Sequence, residues 1–259
     1  MRPMLHPILV IAGIAGAAGC AIPEKQLVAQ GAPFACYNQA PPTTAPKQIT
    51  ITGTVNGAVA GSTISGASIE AFLADDPTKT LINSATSGGD GGFVMQQGTG
   101  GFARNAYLKV TQNGYLDTYY YPAVSIAGDV DVQVQLLTMA DAAKLASLMG
   151  IAQLDLTKDL FLISVVDCND HAIGGATVST EPMGAAVHYF TDSPGPTPSS
   201  TAIATDSVIG TAVAANVPVS NTSIQATVPS PTDPSMILTL HSHSIDAMSG
   251  VVIQTEIQP

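Results

Sequence analysis

The sequence has no tryptophan, only three cysteines, and only eight lysines and arginines among 259 residues. Each shortage excludes something. The absence of indole rings argues against a dedicated sugar-stacking platform. Nineteen acidic residues leave a net charge of −11, and no basic run is present to displace counterions from nucleic acid. Nucleic acid is therefore excluded as a partner. Charged residues make up only 10% of the chain, so much of the polar surface must be Ser, Thr, Gln and Asn. Those residues suit strands and turns. Beyond the first twenty residues no apolar run approaches membrane-spanning length. A Gly-x-Ser-x-Gly elbow, a phosphate loop and a Cys-x-x-Cys pair are all missing. No nucleophile has an evident base beside it, no cofactor is implied, and the expectation is a chain that is not an enzyme.

The first twenty residues, MRPMLHPILVIAGIAGAAGC, are distinctive. Arg2 is followed by an uncharged apolar stretch from Pro7 to Gly19 and by the small residues Ala17, Ala18 and Gly19 before Cys20. A basic start, a short apolar segment and a small-residue cleavage site describe a secretory signal. The cysteine placed directly after it resembles a bacterial lipoprotein signal. The resemblance implies removal of residues 1–19, lipidation of Cys20 and attachment to a membrane through the lipid. Because Ala21 rather than Asp follows, it also implies a cell-envelope location at the outer membrane. Residues 20–46 contain five prolines and no helical or strand period, which predicts an extended tether. Cys36 and Cys168 are the remaining thiols and candidates for a disulfide in an oxidising compartment.

From Lys47 the hydrophobic period becomes two. Ile49, Ile51, Gly53 and Val55 alternate with threonines, and Ala67, Ile69, Ala71 and Leu73 alternate with more polar neighbours. Ala106, Leu108 and Val110 repeat the pattern, as do Val130, Val132, Val134 and Leu136. Asn56-Gly57, the glycine run at 88–92 and Asn113-Gly114 supply the turns. Residues 138–149 break the period: Thr138 can cap a helix, Asp141 stands three residues on, and Gly150 sits where a left-handed residue ends one. The expectation is an all-β chain of two tandem antiparallel sandwiches, at 47–137 and 158–259, joined by a helical linker at 138–157.

The first half carries Gly53, Val55, Gly66, Ala67, Ile69, Gly92, Phe93, Leu108, Val110, Gly114 and Tyr115 in the order of a known pattern. It resembles the carboxypeptidase regulatory-like family, a transthyretin-like sandwich. The second half keeps Gly175, Ala176, Val178 and Gly210 but lacks the Gly-Tyr pair. The resemblance implies non-catalytic modules in an exported protein.

Two constellations stand out. Tyr115, Tyr119 and Tyr121 share a strand parity opposite Leu116 and Tyr120, and could form an exposed strip for a protein or glycan partner. His241 and His243 share a parity with Thr239, and two imidazoles at that spacing can hold one metal. Ring-cleaving intradiol dioxygenases use such a pair with two tyrosines on iron, yet the last tyrosine here, Tyr189, lies far upstream. Asp75, Asp76 and Asp90 match no calcium loop. The primary expectation is thus a lipid-anchored, non-catalytic envelope protein with a binding or structural role and no bound metal. The alternative is a metal-dependent enzyme with an intradiol-dioxygenase-like fold using His241 and His243.

Overall fold

The computed structural model describes residues 32–58, 61–184, 186–192, 197–199, 201–241, 243–246 and 248–259. The signal, residues 1–19, and Cys20 lie outside the described residues.

The chain is mostly strand. In order come β1 (Gln48–Gly57), β2 (Ser68–Leu73), β3 (Leu81–Thr86), β4 (Gly92–Gly98), β5 (Ala106–Thr111), β6 (Thr118–Tyr121) and β7 (Val130–Leu136). Helix α1 (Met139–Leu148) follows. Then come β8 (Asp159–Val165), β9 (Thr177–Glu181), β10 (Ala186–Thr191), β11 (Thr197–Ser199), β12 (Thr211–Val217), β13 (Asn221–Pro229), β14 (Ile237–Thr239), β15 (His243–Asp246) and β16 (Val252–Ile257). The two-residue period does what it should: β1 buries Ile49, Ile51, Gly53 and Val55 and leaves its threonines half-exposed. The helix is where its signals place it. Thr138 accepts from the Asp141 amide, Asp141 reaches back to the Thr138 amide, and Gly150 has φ +70°. Both halves of a capping box are therefore made.

The sheets are joined differently from the sequence expectation. A nine-stranded sheet, in the order β11-β10-β12-β8-β16-β6-β5-β2-β3, runs through both halves of the chain. Its joint is the C-terminal strand β16, which pairs in parallel with β6 on one side and β8 on the other. β1 and β7 are also parallel. The expectation of two purely antiparallel sandwiches sharing only a helix is corrected accordingly. Parallel pairing needs long crossovers between strands distant in sequence, and local alternation carries no signal for it.

Register and alternation assign the two faces of this central sheet. Thr118, Tyr120, Val252, Gln254, Leu160 and Leu162 share one face, and Tyr119, Tyr121, Ile253, Phe161 and Ile163 share the other. Over the first face lie the three-stranded sheet β4-β1-β7 and helix α1. The helix packs Leu145 and Met149 with Leu160, Leu162, Val213 and Val252. The second face is covered by β9, β13, β14 and β15, whose Val178, Ile224, Ala226, Leu238 and Ile245 pack with Phe161, Ile163 and Ile253. Phe161 and Ile253 are wholly buried, as the middle layer of a three-layer stack requires.

The described part of the expected tether is docked. Phe34 is buried in the core, Pro33 accepts from the Cys168 amide, and Ala45 and Ala103 exchange backbone bonds with Gly101 and Thr43. Cys36 and Cys168 form a disulfide with an S–S distance of 2.02 Å. Proline spacing alone could not show these contacts, because they are made with residues far along the chain.

Candidate functional site

The three-stranded sheet and the central sheet do not close fully on one another. Between them lies a cavity of about 470 Å³. Ile49 and Ile51 of β1 and Val132 of β7 line one wall, and Ala71, Leu108 and Tyr120 of the central sheet line the other. Residues 122–127, leading from β6 towards β7, also line it. The volume and apolar walls are those of a small-molecule site.

Its polar groups come from distant parts of the chain. Tyr120 donates its hydroxyl to Glu256 Oε1 at 3.0 Å. β6 and β16 are neighbours, and both residues point to the face bearing the three-stranded sheet. Burial raises the Glu256 carboxyl above its ordinary value, and the Tyr120 hydrogen bond pulls it partly back. Burial, reinforced by the adjacent Glu256 charge, pushes the Tyr120 phenol far up, so it stays protonated and can only donate to that carboxylate. Gln97 also lines the cavity. Its Nε2 donates to the Gly98 carbonyl, while its Oε1 is buried without a hydrogen-bond partner. A buried acceptor left unmet costs about 1–3 kcal/mol, which a ligand donor would recover. Arg104, Asp129, Asp131, Asp170 and Gln258 complete the polar lining.

A larger hollow of about 990 Å³ lies at the C-terminal end of α1 and the loop after it. Its one ionisable lining residue, Asp155, is already bonded to Thr157 and paired with Lys158. Size does not outweigh chemistry here, and the inter-sheet cavity is the better candidate.

The sequence-derived candidates are placed otherwise. Tyr119 and Tyr121 do share a face, but they are only 7% and 8% exposed. They cluster with Tyr107, whose ring stacks on Phe72 at 5.3 Å and on Tyr121 at 4.9 Å. Burial pushes the Tyr107 phenol up to about 12. Tyr115 lies before β6, bridges to Thr138 and packs against the other core cluster. The expected exposed strip is therefore an interior cluster, because the neighbouring strand β5 adds Tyr107 to it.

His241 and His243 are not on one strand. β14 ends at Thr239 and β15 begins at His243. His241 Nδ1 is 3.0 Å from the Pro259 carbonyl oxygen. A carbonyl only accepts, so Nδ1 is the donor of this hydrogen bond. Among the described residues no group of three or more His, Cys, Asp or Glu is gathered that could hold a metal. The donor set does not fit the iron of a ring-cleaving dioxygenase.

Tyr120, Glu256, Gln97 and Arg104 carry no sequence motif. The one available hint was the alternation of Gln254 and Glu256 with Ile253, Thr255 and Ile257, which the structure realises in β16.

No family model matches the chain, and no curated protein matches it. Solved structures do. One is hydroxyquinol 1,2-dioxygenase from Pseudomonas putida DLL-E4, at 12% identity and TM-score 0.27, over 35% of this chain and 56% of that one. A second is 3-chlorocatechol 1,2-dioxygenase from Rhodococcus opacus 1CP, at 12% identity and TM-score 0.27, over 37% of this chain and 62% of that one. A third is the shaft pilin SpaA from Lactobacillus rhamnosus GG, at 10% identity and TM-score 0.25, over 84% of this chain and 98% of that one. The chain thus spans less than two thirds of the length of the two dioxygenases. Dioxygenases recur among the matches. Against that finding, the expectation of a non-catalytic, lipid-anchored protein of the outer membrane is set aside, and with it the expectation that the chain is not an enzyme. Among the described residues no helix is long and apolar enough to cross a membrane. At these TM-scores the likenesses assign no activity to this chain.

Proposed function

We propose that the chain acts on a small, largely apolar molecule held between its two facing sheets, with Glu256 as the proton acceptor. One observation carries this reading: a partly buried carboxylate, hydrogen-bonded to Tyr120, stands in the wall of an apolar cavity. Burial keeps the Glu256 carboxyl basic for its kind, and Tyr120 fixes its orientation. The unmet Gln97 oxygen offers a second acceptor to a ligand hydroxyl or amine. A transthyretin-like sandwich, supported by the motif residues of the first half, is the host proposed for this site.

The test uses 2-phenylethanol, an apolar body with one donor. Titration into the isotope-labelled chain is expected to shift the amides of Tyr120, Ile126 and Val132, which line the cavity. Ala127→Trp, which sets a large ring at a half-buried lining residue, is expected to abolish those shifts. Shifts that persist in Ala127→Trp, or none in the parent chain, would refute the reading.

A further inference from the structure

The charge around this cavity selects among apolar ligands. Of its acidic lining residues, Glu256 is the half-buried one, and its carboxylate is held only by a neutral donor, Tyr120. Asp131 bonds to Thr52 on the outer face of β7, away from the cavity, and Asp129 and Asp170 bond at exposed positions to the Thr50 amide and to Gln258. Among the described residues Glu256 is in no salt bridge. The buried Gln97 oxygen adds an acceptor with no hydrogen-bond partner. A half-buried carboxylate with no cation paired to it, in walls that are otherwise apolar, calls for a ligand that brings donors and a positive charge.

We propose that the ligand class of this cavity is a small apolar primary amine, bound as its ammonium with the apolar body between the sheets. This rests on the cavity being the functional site, as proposed above. The ammonium supplies three donors and a positive charge to set beside Glu256. A carboxylate ligand would bring a like charge to Glu256, and a neutral alcohol offers one donor and no charge.

Three probes of one body separate the possibilities: 2-phenylethylamine, 2-phenylethanol and 3-phenylpropanoate, titrated into the full chain by calorimetry and amide shifts. The amine is expected to bind at least about tenfold tighter than the alcohol, and the propanoate weakest, since a desolvated charge pair is worth more than a neutral hydrogen bond. Glu256→Gln keeps the shape and an acceptor for Tyr120. It is expected to weaken the amine several-fold more than it weakens the alcohol. If the alcohol or the propanoate binds as tightly as the amine, and Ala127→Trp blocks it, the charge selection is wrong and the cavity stands. If none of the three binds, or Ala127→Trp changes nothing, the cavity reading falls and this proposal with it.

Discussion

Asp159 offers a test of the fold that does not depend on function. It opens β8, is 1% exposed, and no cation pairs with it among the described residues. Its Oδ1 accepts from the Val251 amide at a long 3.5 Å, and its Oδ2 has no hydrogen-bond partner. Burial therefore pushes the carboxyl from an ordinary 3.8 up to about 6, the weak Val251 bond only partly opposing it. An acid whose folded pKa is raised binds its proton more tightly when folded. Its ionised form destabilises the fold, so stability is greatest below the unfolded pKa and declines as pH rises from near 4 to above 6. A shift of that size corresponds to about 3 kcal/mol in all, most of which falls between pH 4 and pH 7. The perturbation is Asp159→Asn, which cannot ionise. The assay is urea unfolding of both proteins at pH 4, 5, 6 and 7. The difference in unfolding free energy between variant and parent is expected to move by about 2 kcal/mol in the variant's favour across that range. Comparing the two proteins cancels every other titrating group. Any constant cost of burying the amide shifts all four points equally. A difference that stays flat within about 0.5 kcal/mol would show that Asp159 is solvated or paired, and the reasoning would fail.

Three further outcomes follow from the packing. The Cys36–Cys168 bridge closes a loop over a sequence separation of 132. In the chain-entropy model its removal costs about 5 kcal/mol, so a Cys36→Ser, Cys168→Ser chain should melt far below the parent, and equal melting temperatures would contradict the bridge. Gly53→Ala would set a methyl against the Val132 carbonyl oxygen and 2.7 Å from Phe93 Cζ. A loss of at least about 1–3 kcal/mol in urea unfolding is expected, and a neutral result would mean that β1 and β7 are farther apart than described. Elemental analysis after incubation with iron or zinc should find well under one equivalent. A stoichiometric metal lost on His241→Ala would overturn the reading that no metal-holding group is gathered among the described residues.

Much of the local architecture was readable from residues close in sequence. The alternation in β1, the capping box at Thr138 and Asp141 and the left-handed Gly150 are each set by a few neighbouring side chains. The tyrosines were half-readable: their parity was right, but the ring of Tyr107 that helps bury them comes from a neighbouring strand. The histidines misled because the predicted strand breaks between Thr239 and His243. The cavity was not readable at all, since Tyr120 and Glu256 stand 136 positions apart.

The sequence by itself determined that the described residues are mostly strand with a short helix after Thr138, because period and capping act over a few residues. Only the tertiary structure decided that β16 enters between the two halves in parallel with both of its neighbours. That insertion sets Glu256 beside Tyr120. Strand pairing across such separations depends on which faces can be buried together, and no short stretch of chain encodes it.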